Sequence, residues 1–90
     1  MHFEFDPRKD EANQEKHHVS FNEAAQIWRD PDLVIVAAKK RGEKRKMAIG
    51  RAFTVLYSVI HTKRGEAIRI ISARRSTERE RRIYEQHKDY

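Results

Sequence analysis

Seven arginines fall between positions 64 and 82: Arg64, Arg69, Arg74, Arg75, Arg79, Arg81 and Arg82. A guanidinium stays charged and presents a rigid fork of donors that fits phosphate and carboxylate oxygens. Side chains of this type in this density are suited to holding an anion and offsetting its charge. Lys44, Lys46 and Arg51 extend the series upstream. His61 stands just before it, and an imidazole with an ordinary pKa of ~6.5 can move a proton near neutrality. Other chemistries are missing. The chain has no cysteine, which removes disulfides, thiol nucleophiles and cysteine-ligated zinc. Adjacent His17 and His18 diverge rather than chelate, and no HxxxH or HExxH pattern occurs, so no metal site is expected. No GxGxxG, P-loop or nucleophile elbow is present, so no cofactor is expected.

The overall balance agrees with an anionic partner. The chain has 90 residues, the length of one domain, and a formal net charge of +6. Residues 1–32 carry a net of −4, residues 33–62 a net of +6 and residues 63–90 a net of +4. An acidic front and a basic rear point to a functional basic face rather than uniform surface solvation. No apolar run approaches the ~18 residues of a membrane span. The acidic opening "MHFEFDPRKDE" lacks a signal-peptide core, so the expected compartment is the cytoplasm.

The elements that must position these residues are legible from local pattern. Residues 2–5 alternate apolar and polar as a short strand. Asp6 and Pro7 read as N-cap and first residue of a helix over 7–17, polar nearly all round, with Ala12 its most apolar member. Ser20 and Glu23 form a capping box for a second helix ending near Asp30. Its stripe Phe21, Ala24, Ala25 and Trp28 has core spacing. Strands follow over 33–38, 45–52, 53–61 and 67–73, with a basic turn at 39–44. Thr77 and Glu80 form a second capping box for a C-terminal helix, with Glu78–Arg82 and Arg81–Glu85 as i, i+4 pairs. The order predicts an α+β domain: helices packed on an antiparallel meander.

Strand parity aims the candidates. Ile68, Ile70 and Ser72 should share one face, and Arg69, Ile71 and Ala73 the other. An arginine between isoleucines must be paired with a carboxylate or open to a cleft, because a lone buried charge is costly. Arg74 falls across the sheet from Arg69 unless the strand ends or bulges near Ala73. His61 depends on the turn. A three-residue turn Lys63-Arg64-Gly65 puts His61 on the face of Arg69; a two- or four-residue turn puts it on the core face with Ile68 and Ile70. The position of Gly65 favours the three-residue turn.

These residues match a family pattern. Phe3, Glu4, Phe5, Asp6, Lys9, Asn13, Lys16, His17, Val19, Phe21, Glu23 and Ala24 resemble the opening of the BrnT family of bacterial toxins. "AIG" at 48–50, "RIISAR" at 69–74 and "ERERRIYE" at 78–85 resemble its second half. His18 stands where the family usually has Gly, Phe5 where Trp is usual, and His61 where many relatives carry another strand residue. The resemblance implies a RelE-like fold and a ribonuclease toxin of a type II toxin–antitoxin pair. The implied partner is a BrnA-like ribbon-helix-helix antitoxin in a hetero-oligomer, with DNA met only through that antitoxin.

Under that resemblance the arginines acquire roles. Metal-free RNA cleavage needs a base for the 2′-hydroxyl, stabilisation of charge on phosphorus and a proton for the leaving oxygen. Arg69 and Arg74 are expected to stabilise charge, and His61 to act as base if the register allows. Arg64, Arg75, Lys44, Lys46 and Arg51 are expected to bind backbone phosphates. Tyr57 or Tyr84 would stack on a base, although packing is the commoner role of such a tyrosine. The helix from 77 is either a solvated ion-paired surface or a contact for RNA or antitoxin. Two other readings compete: a basic module that binds nucleic acid without cutting it, and a component that chiefly assembles with a partner.

Overall fold

A computed structural model describes residues 1–38 and 44–88. The expected basic turn therefore lies, apart from Lys44, outside the described residues. Strand β1 (His2–Glu4) leads into helix α1 (Pro7–His17), helix α2 (Phe21–Ala25) and a 3-10 turn at Gln26–Arg29. Strands β2 (Val34–Ala37), β3 (Lys46–Ala52), β4 (Val55–Arg64) and β5 (Ala67–Arg75) follow, and helix α3 (Glu78–Lys88) closes the order. They form one sheet in the order β1-β5-β4-β3-β2, in which only the β1–β5 pair is parallel. This is the expected α+β class and is compatible with a RelE-like fold.

Local signals set the helices. The Asp6 carboxylate accepts from the Arg8 amide at 2.9 Å, and α1 ends at His18 with φ of 60°. Glycine takes this left-handed conformation without strain. Both bonds of the Ser20–Glu23 box are present. Beyond Ala25 the helix tightens to about three residues per turn, which rotates Ile27 into the core. Ile27 is fully buried, whereas Ala25 and Trp28 of the expected stripe are only partly so. Gly50 permits this approach: a Cβ there would lie 2.9 Å from Ile27 Cβ and from Leu33 Cδ1.

Polar α1 is held by a side chain other than Ala12. Asn13 is buried, and its amide nitrogen donates to the carbonyls of Val19 and Ala73, each at 2.8 Å. Its oxygen accepts from the Ala73 amide at 3.0 Å. One amide thus pairs the edge of β5 beyond the point where β1 ends, satisfying groups that would otherwise be costly to bury.

Two cores lie on opposite faces. The helix face buries Val19, Phe21, Ala24, Ile27, Ala48, Val59 and Ile70 among others. The other face buries Val34, Ile49 and Leu56 beneath Tyr84 of α3. Helix α3 therefore takes the side opposite α1 and α2 and covers β2 and β3. Neither Glu78–Arg82 nor Arg81–Glu85 reaches ion-pair distance among the described residues; Glu85 lies 4.0 Å from Arg51 instead. The sequence also gives no sign of the turn between β3 and β4. Phe53 and Thr54 adopt φ of 58° and 94°, conformations that favour glycine or asparagine.

Candidate functional site

The geometry of the site follows from the hairpin of β4 and β5. Arg64 pairs with Ala67, so the turn is the two residues Gly65 and Glu66, with Gly65 at φ +63°. The three-residue turn expected from the sequence is thereby corrected, because Lys63 and Arg64 continue the strand. Thr62 opposes Arg69 and His61 opposes Ile70. Ile60 opposes Ser72, so Ile71 is an extra residue, a bulge in β5.

That bulge re-aims everything after it. Before it, Ile68 and Ile70 face the helices and Arg69 faces away. After it, Ala73 is the buried residue of the helix-face core, and Ser72 and Arg74 point to the far side. Strict alternation over 67–73 is thus corrected, and Arg74 joins Arg69 by the bulge that its participation requires. Arg64, two residues beyond Thr62, shares this face at a cross-strand diagonal from Arg69.

Each central arginine holds a carboxylate. Arg69 donates to Glu4 Oε2 at 2.9 Å, and the two side chains are 30% and 34% exposed. The alternatives of pairing and accessibility both hold, because β1 ends at Glu4 and leaves the pair at the surface. Arg74 donates to Glu80 through two nitrogens, at 2.6 Å and 2.8 Å. Glu80 also accepts from Ser58 Oγ at 2.8 Å and from the Thr77 amide at 2.9 Å. Burial pushes the Glu80 carboxyl up, but the bonds from Arg74, Thr77 and Ser58 outweigh it and bring the pKa to about 2. Glu80 is thus at once the cap of α3 and the anchor of Arg74, a double use that its place in a capping box could not reveal.

His61 lies on the opposite face. It is 4% exposed, with its ring edge-on to Trp28 at 5.0 Å between centroids. Burial lowers its pKa, and the charge of Lys46 adds to this against a weak bond to the Val59 carbonyl. The expectation that His61 shares a face with Arg69 is corrected by the register, which places the imidazole across the sheet. Lys44, Lys46, Lys63 and Thr62 join it around an open cavity of about 540 Å³.

The remaining candidates disperse. Arg75 opposes Tyr57 on the helix face. Arg51 sits near the far end of the sheet, 5.8 Å from the ring centre of Tyr84. Both tyrosines are buried and bonded, Tyr57 to Glu23 at 3.2 Å and Tyr84 to Asp30 at 2.7 Å, so neither ring is open to a base. Burial raises the Tyr84 pKa to about 12, helped by Asp30. Glu4 is the residue that sequence reasoning passed over. The signal lay in the alternation of residues 2–5, which places Glu4 opposite in facing to Phe3 and Phe5. Only the parallel pairing of β1 with β5 sets it beside Arg69.

The arrangement can hold a chain of phosphates on one face, with the partly exposed carboxylate of Glu4 beside Arg69. Among the described residues no group of three or more His, Cys, Asp or Glu side chains is disposed to hold a metal ion. No helix among them is long and apolar enough to cross a membrane. A family model described as "Ribonuclease toxin, BrnT, of type II toxin-antitoxin system" matches residues 5–80. No curated protein matches the chain.

Proposed function

The chain belongs to the BrnT family of ribonuclease toxins of type II toxin–antitoxin systems, and from that premise we propose that RNA is held and cut on the arginine face without a metal ion. The observation that carries this reading is the bulge at Ile71, which sets Arg69 and Arg74 on one face with Glu4 between strand end and solvent.

Family membership implies RNA as substrate and an antitoxin protein as partner. In the reaction the 2′-hydroxyl oxygen bonds to the adjacent phosphorus, and the bond from phosphorus to the 5′ oxygen of the next nucleotide breaks. Glu4 takes the hydroxyl proton on the oxygen that Arg69 leaves open, and the departing 5′ oxygen gains a proton from water. Arg69 stabilises the added charge on phosphorus. One well-placed donor of this kind contributes about 3–4 kcal/mol. Arg74 acts at a different phosphate. Its partner Ser58 lies four residues along β4 from Thr62, the partner of Arg69, roughly 13 Å at ~3.3 Å per residue, too far for both to grip one group. Glu80 occupies two of its five N–H groups, and the Arg75 carbonyl accepts at 3.4 Å from one of the same nitrogens. The N–H groups left over suit a neighbouring backbone phosphate. Arg64 extends the track. The antitoxin is a BrnA-like ribbon-helix-helix protein that forms a hetero-oligomer with this chain.

The test is incubation of antitoxin-free protein with RNA in the presence and absence of chelator. The expected result is loss of full-length RNA that persists in chelator and disappears in Arg69→Ala folded as well as the parent. Intact RNA at every protein concentration overturns the proposal.

A further inference from the structure

The cavity near the turn of the β4–β5 hairpin lies across the sheet from the carboxylate pairs. Lys44, Lys46 and Lys63 converge on it from the approach to β3, from β3 itself and from β4, with Ile35, Thr62 and His61 completing the wall. Among the described residues none of the three lysines has a carboxylate at ion-pair distance. Three ammonium groups around one cavity repel one another, and an anion seated among them relieves that repulsion. The floor is a buried imidazole rather than a carboxylate, and none of the described residues that line the cavity is acidic.

We infer that this cavity is a second phosphate site, taking a backbone phosphate of the RNA outside the link that is cut. The inference rests on the reading of RNA as substrate. Continuity favours an RNA strand over an acidic peptide. Thr62, on the cavity wall, is the direct cross-strand partner of Arg69, and Lys63 adjoins Arg64. Lys46 pairs with His61 one strand further on, so two strand spacings, roughly 10 Å, separate its column from that of Arg69. A single strand lying on Arg69 and Arg64 therefore reaches the cavity by passing over the hairpin end. Thr62 also fixes the rim, since its hydroxyl donates to the Lys44 carbonyl at 3.2 Å. Exposed Ile35 offers an apolar wall for a sugar or base edge.

The experiment measures binding apart from cleavage. A short single-stranded oligonucleotide bearing 2′-O-methyl groups is titrated onto the full chain over a series of salt concentrations. The proteins compared are the parent, Lys46→Gln with Lys63→Gln, and a control that loses one charge away from the cavity, Lys88→Gln. The double variant should bind several-fold more weakly. Its slope of log affinity against log salt should be shallower by about 1.4, since each lost contact to a single strand removes ~0.7. Lys88→Gln should leave the slope unchanged. The His61 imidazole resonances should move on addition of the oligonucleotide to the parent and stay in place in the double variant. An unchanged slope with unmoved His61 resonances overturns the inference while leaving cleavage by the arginine face intact. Loss of antitoxin binding with RNA binding undiminished overturns it as well. A shallower slope in a protein that cuts no RNA supports the phosphate site and defeats the cleavage reading alone.

Discussion

The arginine face and the lysine cavity meet at one hairpin and are both basic, yet they manage charge in opposite ways. Arg69 and Arg74 are each tied to a carboxylate, Glu4 and Glu80, at hydrogen-bond distance. Lys44, Lys46 and Lys63 are tied to none among the described residues. Pairing gives up net charge and gains fixed geometry, which suits a group that must meet one reacting phosphorus. Leaving ammonium groups unpaired keeps the full field and loses precision of aim, which suits capture of a backbone. The side chains follow the same division: the planar fork is used where orientation matters and the flexible point charge where it does not.

Removal of the paired arginine at the proposed cutting position should have the largest effect. Arg69→Ala is expected to lower the cleavage rate by about 10²–10³-fold, and Glu4→Gln by about 10²-fold or more, measured on RNA under single-turnover conditions. Equal loss on removing Lys46 would erase the distinction between the two regions.

Stability should be affected next. Arg74→Ala leaves the buried Glu80 facing Ser58 and Thr77 without its cation, a loss expected at about 2 kcal/mol. Urea unfolding measures it, and a cycle with Glu80→Gln should show that most of the loss is shared between the two positions.

Acid should then act on the same pair. The Glu80 pKa in the folded chain is about 2, below the ~4.3 of an unfolded glutamate. Its contribution is present above the unfolded value and fades as pH falls toward the folded one. Thermal melts between pH 5 and pH 2 should show the decline, and Glu80→Gln should flatten it. His61 acts in the same direction at higher pH. Its lowered pKa means that the unfolded chain takes up the proton first, so stability falls as pH drops below about 6.5. His61→Phe should remove that part of the slope.

The smallest effects belong to the cavity. Lys46→Gln or Lys63→Gln should change unfolding stability by less than about 0.5 kcal/mol, with any shift upward because repulsion is relieved. A cost comparable to that of Arg74→Ala would show that the lysines are structural after all.

What the sequence by itself determined was local. Asp6, the Ser20–Glu23 box and the Thr77–Glu80 box fixed the helix starts, because a cap and the amides it satisfies are three residues apart or fewer. Apolar runs located the strands, and charge distribution located the basic half. The tertiary structure alone decided which way the charges point. Asn13 found Ala73 sixty positions away, Glu4 found Arg69 through a parallel pairing, and one extra residue at Ile71 moved Arg74 across the sheet. The physical reason is the two-residue period of a strand. A shift of a single position reverses every side chain beyond it, and the pairing that selects the position is made with residues far along the chain.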